Sequence, residues 1–410
     1  MAQAVKPQGN AARPEMSQSP SRFRFELHFS DLFWVLGLIL VVIGAAGLVQ
    51  RLSSGLMLTN LTSYVPWGLW VGFYDYLVWI EVGSLLVFTG MLYLAGEKRL
   101  ARIKPLVLFT GFTVLVMALL LVLLDLGRAE RFWHVIVYPD FGSMITWMVW
   151  LHGSYLLVLA VELLLVMWGD GRGERILKFL SLLSLPMGLA LILVSGSIFG
   201  VVAARPLWNT ASLPLMFLVS ALAAGSSLLL LLIVLFWRDK GSEAYKALVR
   251  RMSTITGILL VTGVFAASVI AFTMLYTSSG SPSRADALNL ILTGPYWWSF
   301  WILHILLGVI VPLIIHFTVP NKPRLVGIAA ALSAVTFVAV TLNIVIPVLV
   351  TPELEGLATA FVDPKLNPNY APNAMEWMVI VFVLGVGGLI YGLGLRFLPL
   401  KTQHAEVSHD

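Results

Sequence analysis

Asp75, Glu81, Asp125, His152 and Glu162 lie inside long apolar runs of the chain, and Arg128 follows closely on one of them. An ionisable group in hydrocarbon is costly unless it is partnered or used, so each of these residues is a functional candidate. Carboxylates and imidazoles exchange protons when burial and neighbouring charge tune them. A quinone head group would suit such a set, because its redox reaction moves two electrons and two protons. Each ring oxygen then needs a hydrogen-bonding partner that also trades a proton, while the isoprenoid tail needs only an apolar cleft between helices.

The elements that carry these residues follow from composition. Of 410 residues, 59% are hydrophobic and 11% charged, against roughly 45–50% and 25% in soluble domains. A span needs about 20 apolar residues, since a helix rises about 1.5 Å per residue across about 30 Å of hydrocarbon. Ten runs qualify, at 32–49, 67–95, 105–127, 145–168, 176–203, 213–237, 253–277, 295–319, 325–350 and 375–398. The expected fold is therefore an all-α polytopic membrane bundle. Its expected parts are a disordered cytoplasmic tail at 1–28, a transmembrane domain at 29–400 and a second cytoplasmic tail at 401–410. No small-residue cleavage site follows the first apolar run, so it reads as a retained anchor.

Orientation comes from the 26 Lys and Arg residues. Twenty fall on the side of both termini and six on the other, at Arg51, Arg128, Arg131, Arg205, Arg284 and Lys365. This places both termini in the cytoplasm. The net charge of +5 thus belongs to helix ends and gives no sign of a nucleic-acid surface. In that orientation Asp75, Asp125, Arg128 and His152 share the outer third, provided that consecutive helices are neighbours. Glu81 and Glu162 lie deeper and could relay protons toward the cytoplasm. Plainer readings stand beside these. Asp125 and Arg128 at i, i+3 could clamp a helix end, His152 could bond a neighbouring helix, and the two glutamates could serve packing. The outer loops carry Tyr64, Trp67, Trp133, Tyr138, Trp208, Tyr296, Trp297, Trp298 and Tyr370, which suits an interfacial belt or a docking surface for an extramembrane subunit.

Cysteine is absent, so no thiolate-held iron–sulfur cluster is expected on this chain. Two membrane haems would need four facing histidines, and the spans hold only His152, His304 and His316. A single haem between His152 and His304 is the alternative that these residues leave open; the expectation is no haem and no metal site. A secondary transporter is a rival reading, but Pro186, Pro312 and Pro347 do not fall in corresponding places of two repeats. A purely structural anchor is another, and it would need no buried carboxylates. Gly196 with Gly200, and Gly385, Gly387 and Gly388, mark close helix contacts.

Three stretches sharpen the reading. Residues 65–73, Val-Pro-Trp-Gly-Leu-Trp-Val-Gly-Phe, resemble a helix entry of the NrfD-type membrane subunits, which include the polysulfide reductase and hydrogenase-2 membrane proteins. Residues 124–134, Leu-Asp-Leu-Gly-Arg-Ala-Glu-Arg-Phe-Trp-His, with Ser143 to Trp147, are similar to that family's Asp-Leu-Gly-Arg motif and its next helix start. Residues 203–218 match a third signature, and the similarity runs on to Glu376 and Trp377. The resemblance implies two four-helix bundles plus one peripheral helix at each end. It also implies a bacterial inner-membrane subunit, not catalytic alone, that binds menaquinone or ubiquinone near the outer face. Its implied partner is a periplasmic iron–sulfur subunit, and through that a molybdopterin, hydrogenase or multihaem cytochrome subunit. The motif carries Asp125 and Arg128. Asp75 and His152 are then the expected head-group partners, with Glu81 and Glu162 as the proton path.

Overall fold

Where no water can bond the backbone, an apolar run satisfies its own amides only as a helix. The computed structural model follows that rule. It describes residues 29–400 apart from 169–172, 279–281, 355, 357, 358, 361, 362 and 364. The tails expected at 1–28 and 401–410 lie outside the described residues.

In chain order the helices are α1 (Phe29–Ser54), α2 (Leu69–Thr89), α3 (Lys104–Asp125), the short α4 (His134–Val137), α5 (Met144–Trp168), α6 (Glu174–Gly200), α7 (Leu213–Phe236), α8 (Glu243–Ser278) and α9 (Pro282–Leu292). A π-helix at Ser299–Ile310 runs into α10 (Val311–Thr318), and α11 (Pro323–Thr336) runs into α12 (Val338–Val350), before α13 (Ala374–Phe397). Counting the joined pieces as single spans, ten among the described residues are long and apolar enough to cross a membrane. No strand occurs among the described residues, and the protein is a polytopic all-α membrane protein.

Helices α2, α3, α5 and α6 close into one bundle. Helices α7 and α8, the π-helix with α10, and α11 with α12 form a second. The peripheral helices α1 and α13 lie along each other, and α13 packs against α3. The expected boundaries hold to a few residues except in α8, which starts ten residues early at Glu243. Its first turns carry Lys246, Arg250 and Arg251, so they extend the helix beyond the apolar segment.

The two bundles meet where α2 crosses α7. A Cβ on Gly83 would lie 1.8 Å from the Ala221 carbonyl oxygen, and one on Gly225 would lie 2.1 Å from the Gly83 backbone. Only glycine lets the two backbones approach this closely. The expected glycine contact on the peripheral pair is also present: a Cβ on Gly385 would meet the backbone of Val41 at 2.6 Å.

Interruptions of the regular ladder have local repairs. Pro312 lacks the amide that would hold the Gly308 carbonyl, and the Ser333 hydroxyl donates to that carbonyl instead at 2.8 Å. Two arginines cap helix C-termini, where the last carbonyls have no intrahelical donor. Arg51 donates to Leu124 O and Leu126 O at the end of α3. Arg205 donates to Val348 O and Thr351 O at the end of α12.

At the opposite end of the bundles, hereafter the Lys104 end, Glu97 accepts from Arg99 at 2.7 Å and from Arg251 of α8 at 2.8 Å. Arg99, followed by Arg251, holds the Glu97 carboxylate below the usual carboxylate range. This contribution to stability is present above the unfolded value of about 4.3 and is lost as pH falls through the lower folded value. In detergent, the Glu97→Gln protein is expected to melt below wild type at pH 7, with the gap closing once acid has protonated Glu97. A gap of constant size across that range would remove the ion cluster as its cause. At the seam, Gly83→Val is expected to destabilise the fold by about 1–3 kcal/mol or more through overpacking. Gly90→Ala serves as the control, since a Cβ there meets nothing within 4 Å.

Candidate functional site

Helices α2 and α5 face each other across the first bundle and carry the same spacing of polar residues. Tyr74 and Glu81 on α2 are seven positions apart, as are Tyr155 and Glu162 on α5. Seven residues make about two turns, so each pair shares one helix face. All four side chains are buried.

The upper part of this row contains His152. Its Nδ1 lies 2.9 Å from the Met148 carbonyl oxygen, which can only accept, so Nδ1 carries the proton. In the neutral ring Nε2 is then the acceptor, 3.1 Å from the Tyr74 hydroxyl. Tyr74 also reaches the Met148 sulfur at 3.2 Å. One residue along α2, Asp75 turns toward α6, where its Oδ1 accepts from the Ser195 hydroxyl at 3.1 Å. Its Oδ2 is buried with no hydrogen-bond partner. Asp75 and His152 are each only 2% exposed. The structure thus brings His152 to Tyr74 and Asp75 to Ser195, on adjoining faces of one bundle.

Below them, both Glu81 carboxyl oxygens, the Tyr155 hydroxyl and the Trp79 indole nitrogen are buried without partners. Tyr155 lies within electrostatic reach of Glu81 and Glu162, and Glu162 within reach of Ser181 and Lys104. Lys104 donates to the Ser181 hydroxyl at 3.1 Å and to the Tyr93 hydroxyl at 2.6 Å. From His152 to Glu162 the helical rise is about 15 Å, so protonatable groups descend most of the bundle toward the Lys104 end. No ion pair among the described residues holds Asp75, Glu81 or Glu162.

The expected i, i+3 pair of Asp125 and Arg128 does not form. Helix α3 ends at Asp125 and the chain turns extended at Leu126, which carries Arg128 out of register and into an exposed position. The cation near Asp125 is Arg51 of α1, and Glu376 is the neighbouring anion. Glu376 is itself engaged, accepting from Tyr370 at 2.7 Å and from the Asn373 amide at 2.9 Å, in a capping box that starts α13. Asp125 and Arg128 therefore lie at the rim, while Asp75 and His152 lie inside.

Tyr74, Tyr155, Ser195 and Lys104 escape a reading restricted to carboxylates and histidines. The Tyr-to-Glu spacing of seven, repeated on α2 and α5, was the available signal. The other intramembrane histidines belong to the second bundle. His316 Nδ1 lies 2.9 Å from the Ser253 hydroxyl, and His304 packs edge-on to Phe300 and Phe337.

The loop aromatics divide into two groups. Trp67 and Trp208 pack with Phe199 in the interior, and Tyr370 is buried beside Glu376. Trp133 and Tyr138 are exposed, together with Phe132 and Phe141 on the segment leading into α5 and Trp147 and Trp150 in its first two turns. This aromatic rim is joined directly to the helix that carries His152.

A sequence model of the family described as Polysulphide reductase, NrfD matches residues 57–353. The chain is 30% identical over 411 residues to a selenate reductase subunit of Mesobacillus selenatarsenatis, an alignment covering 92% of this chain and 95% of that one. It is 25% identical to the Hdr-like menaquinol oxidoreductase integral membrane subunit of Archaeoglobus fulgidus, covering 91% and 95% of the two chains. To the menaquinone reductase integral membrane subunit of Nitratidesulfovibrio vulgaris it is 26% identical, covering 87% and 88%. With a matched segment that takes in both bundles and the rim, the chain belongs to the NrfD, or polysulphide reductase, family of integral membrane proteins.

Proposed function

We propose that this chain is the quinone-reactive membrane subunit of a respiratory oxidoreductase complex in a bacterial cytoplasmic membrane. The observation that carries this reading is the pair of acceptors inside the first bundle: His152 Nε2 beside Tyr74, and the unpartnered Asp75 Oδ2. Relatives named as menaquinone and menaquinol oxidoreductase membrane subunits support it.

The residues present fit a quinol. His152 Nε2 takes the proton of one ring hydroxyl, and Asp75 takes that of the other, as two electrons leave. In the reverse direction the same atoms return both protons. Met148 is half-buried beside the Tyr74 hydroxyl, and its unbranched side chain can swing aside to admit a ring. The 20-to-6 division of basic residues puts the Asp125 end outside and both termini in the cytoplasm. The exposed aromatic rim at Phe132–Trp150 then forms the docking face for a periplasmic iron–sulfur subunit. Asp125 and Arg128 close the site at that rim. Through such a subunit the electrons pass to a molybdopterin, hydrogenase or multihaem cytochrome partner.

Protons follow the row below the site. Glu81, Tyr155 and Glu162 pass them along facing sides of α2 and α5, and Lys104 with Ser181 and Tyr93 continues the row to the cytoplasmic end. Because these groups lack structural ion pairs, a change of protonation at one of them breaks no salt bridge.

In the purified complex, His152→Ala and Asp75→Asn are each expected to lower quinone-linked turnover by about 10²-fold or more, the usual range for a lost proton-transfer group. Dye-linked activity of the catalytic subunit should stay intact, and quinone-linked turnover at the wild-type rate in both variants would remove the site. A chain serving only as an anchor would also bind no quinone analogue. For the proton row, Glu81→Gln and Glu162→Gln are expected to slow proton uptake from the Lys104 side in proteoliposomes. Uptake at the wild-type rate in both would refute the relay.

A further inference from the structure

The second bundle contains a cavity that the first-bundle site does not use. It has a volume of about 200 Å³ and lies between the start of α7, the second half of α8, α9, the π-helix and α12. Trp208, Met216, Ala271 and Phe300 supply apolar walls, and His304 and Asn343 supply the polar groups. The Trp208 indole N–H is already donated to Ile344 O at 2.8 Å. Asn343 is 8% exposed and its Nδ2 has no partner. His304 makes no hydrogen bond among the described residues, and its ring contacts are Phe300 and Phe337, with centroids at 5.7 and 6.1 Å.

The backbone around the cavity is also irregular. His304 lies in the middle of the π-helix Ser299–Ile310, a form found often at functional positions. The span facing it is broken at Phe337 between α11 and α12. One turn beyond Asn343, Pro347 removes the amide that would hold the Asn343 carbonyl in the regular ladder. Two spans thus deviate from regular α-helix where they border one cavity that holds an unsatisfied carboxamide donor.

The chemistry of the lining limits the occupant. An acyl chain would fill the space but leave the buried Asn343 Nδ2 donor unbonded, which is costly. A water molecule would satisfy Asn343 but occupies only about 30 Å³. A cavity of about 150 Å³ with aliphatic and aromatic walls takes up benzene, so this one has room for a larger ring. Exposed Phe265 and Phe272 on α8 place the neighbouring surface against lipid, and arrival from the bilayer follows. We propose that the second bundle binds a lipid-soluble aromatic or quinonoid ring carrying a carbonyl acceptor, with Asn343 Nδ2 donating to the carbonyl and His304 lying against the ring. This site is separate from the one between α2 and α5, and neither depends on the other.

The test uses the full chain in lipid nanodiscs, photolabelled with an azide-bearing methylnaphthoquinone, with adducts mapped by peptide mass spectrometry. Saturable adducts are expected on segments 267–275 and 340–344, displaced by unlabelled methylnaphthoquinone. They should fall roughly tenfold, the equivalent of about 1.4 kcal/mol, both in Asn343→Leu and in the cavity-filling Ala271→Phe. Adducts near Met148 and Tyr155 report the first-bundle site in the same sample and should be unchanged, which also verifies that each variant is folded. The proposal is overturned by absence of second-bundle adducts, whatever the first bundle shows. Adducts there that neither substitution reduces also overturn it, because they mark unspecific partitioning of the probe. Parallel loss from both bundles in both variants counts against it as well.

Discussion

A polar group inside a bilayer has no water to fall back on, so the protein must either satisfy it or use it. The ten-span chain separates the two cases by location. At the rim, Arg51, Arg205 and Glu376 have their polar atoms bonded to helix ends and to neighbouring turns, and they act as fasteners. Inside the first bundle, Asp75 Oδ2, both oxygens of Glu81, Glu162 Oε1 and the Tyr155 hydroxyl are buried with nothing bonded to them. At the rim Asp125 Oδ1 is likewise unbonded; the contrast within one molecule otherwise holds, and it is what supports proposing the interior row for proton chemistry.

The α2 half of that row sits on the helix best shielded from lipid. In α2 with its short continuation, 72% of the apolar window is buried, against 28% in α5 and α6 and 17% in α8. Such shielding follows from its neighbours: α3 and α6 on one side, α7 and α12 on the other. The glycine crossing of α2 and α7 brings the second bundle close enough to complete the enclosure. Electrostatic interactions inside such an enclosure are much stronger than at an open surface, and Tyr74 lies within electrostatic reach of both Asp75 and Glu81.

Much of this was legible in the amino-acid order. Spans follow from apolar run length, because a bilayer accepts only helices or barrels, and the family was legible from its three motifs. The early start of α8 was not, because its first turns are charged and helix propensity alone continues them. The Asp125–Arg128 pair failed because an i, i+3 reading assumes an unbroken helix, whereas α3 stops at Asp125. Arg51 took the place next to Asp125 from 74 positions away in sequence, a distance over which local spacing is silent. Tyr74 and Tyr155 were overlooked because tyrosine in a membrane span usually signals an interface, and their repeated spacing of seven from Glu81 and Glu162 gains its meaning only once α2 and α5 face each other. The loop aromatics were read as one belt, yet Trp67 and Trp208 went to the interior and Trp133 and Tyr138 to the exterior. Tertiary packing alone distinguishes them.

The pairing of α1 with α13 has a consequence for biogenesis. During synthesis α1 emerges ahead of the eight core spans, yet its glycine-lined face has no mate until α13 follows them. Over that interval a stripe of small residues stands open to lipid or to the insertion machinery. Emergence of α13 is then the event that closes the outermost contact, and a polypeptide lacking α13 would leave that face of α1 bare.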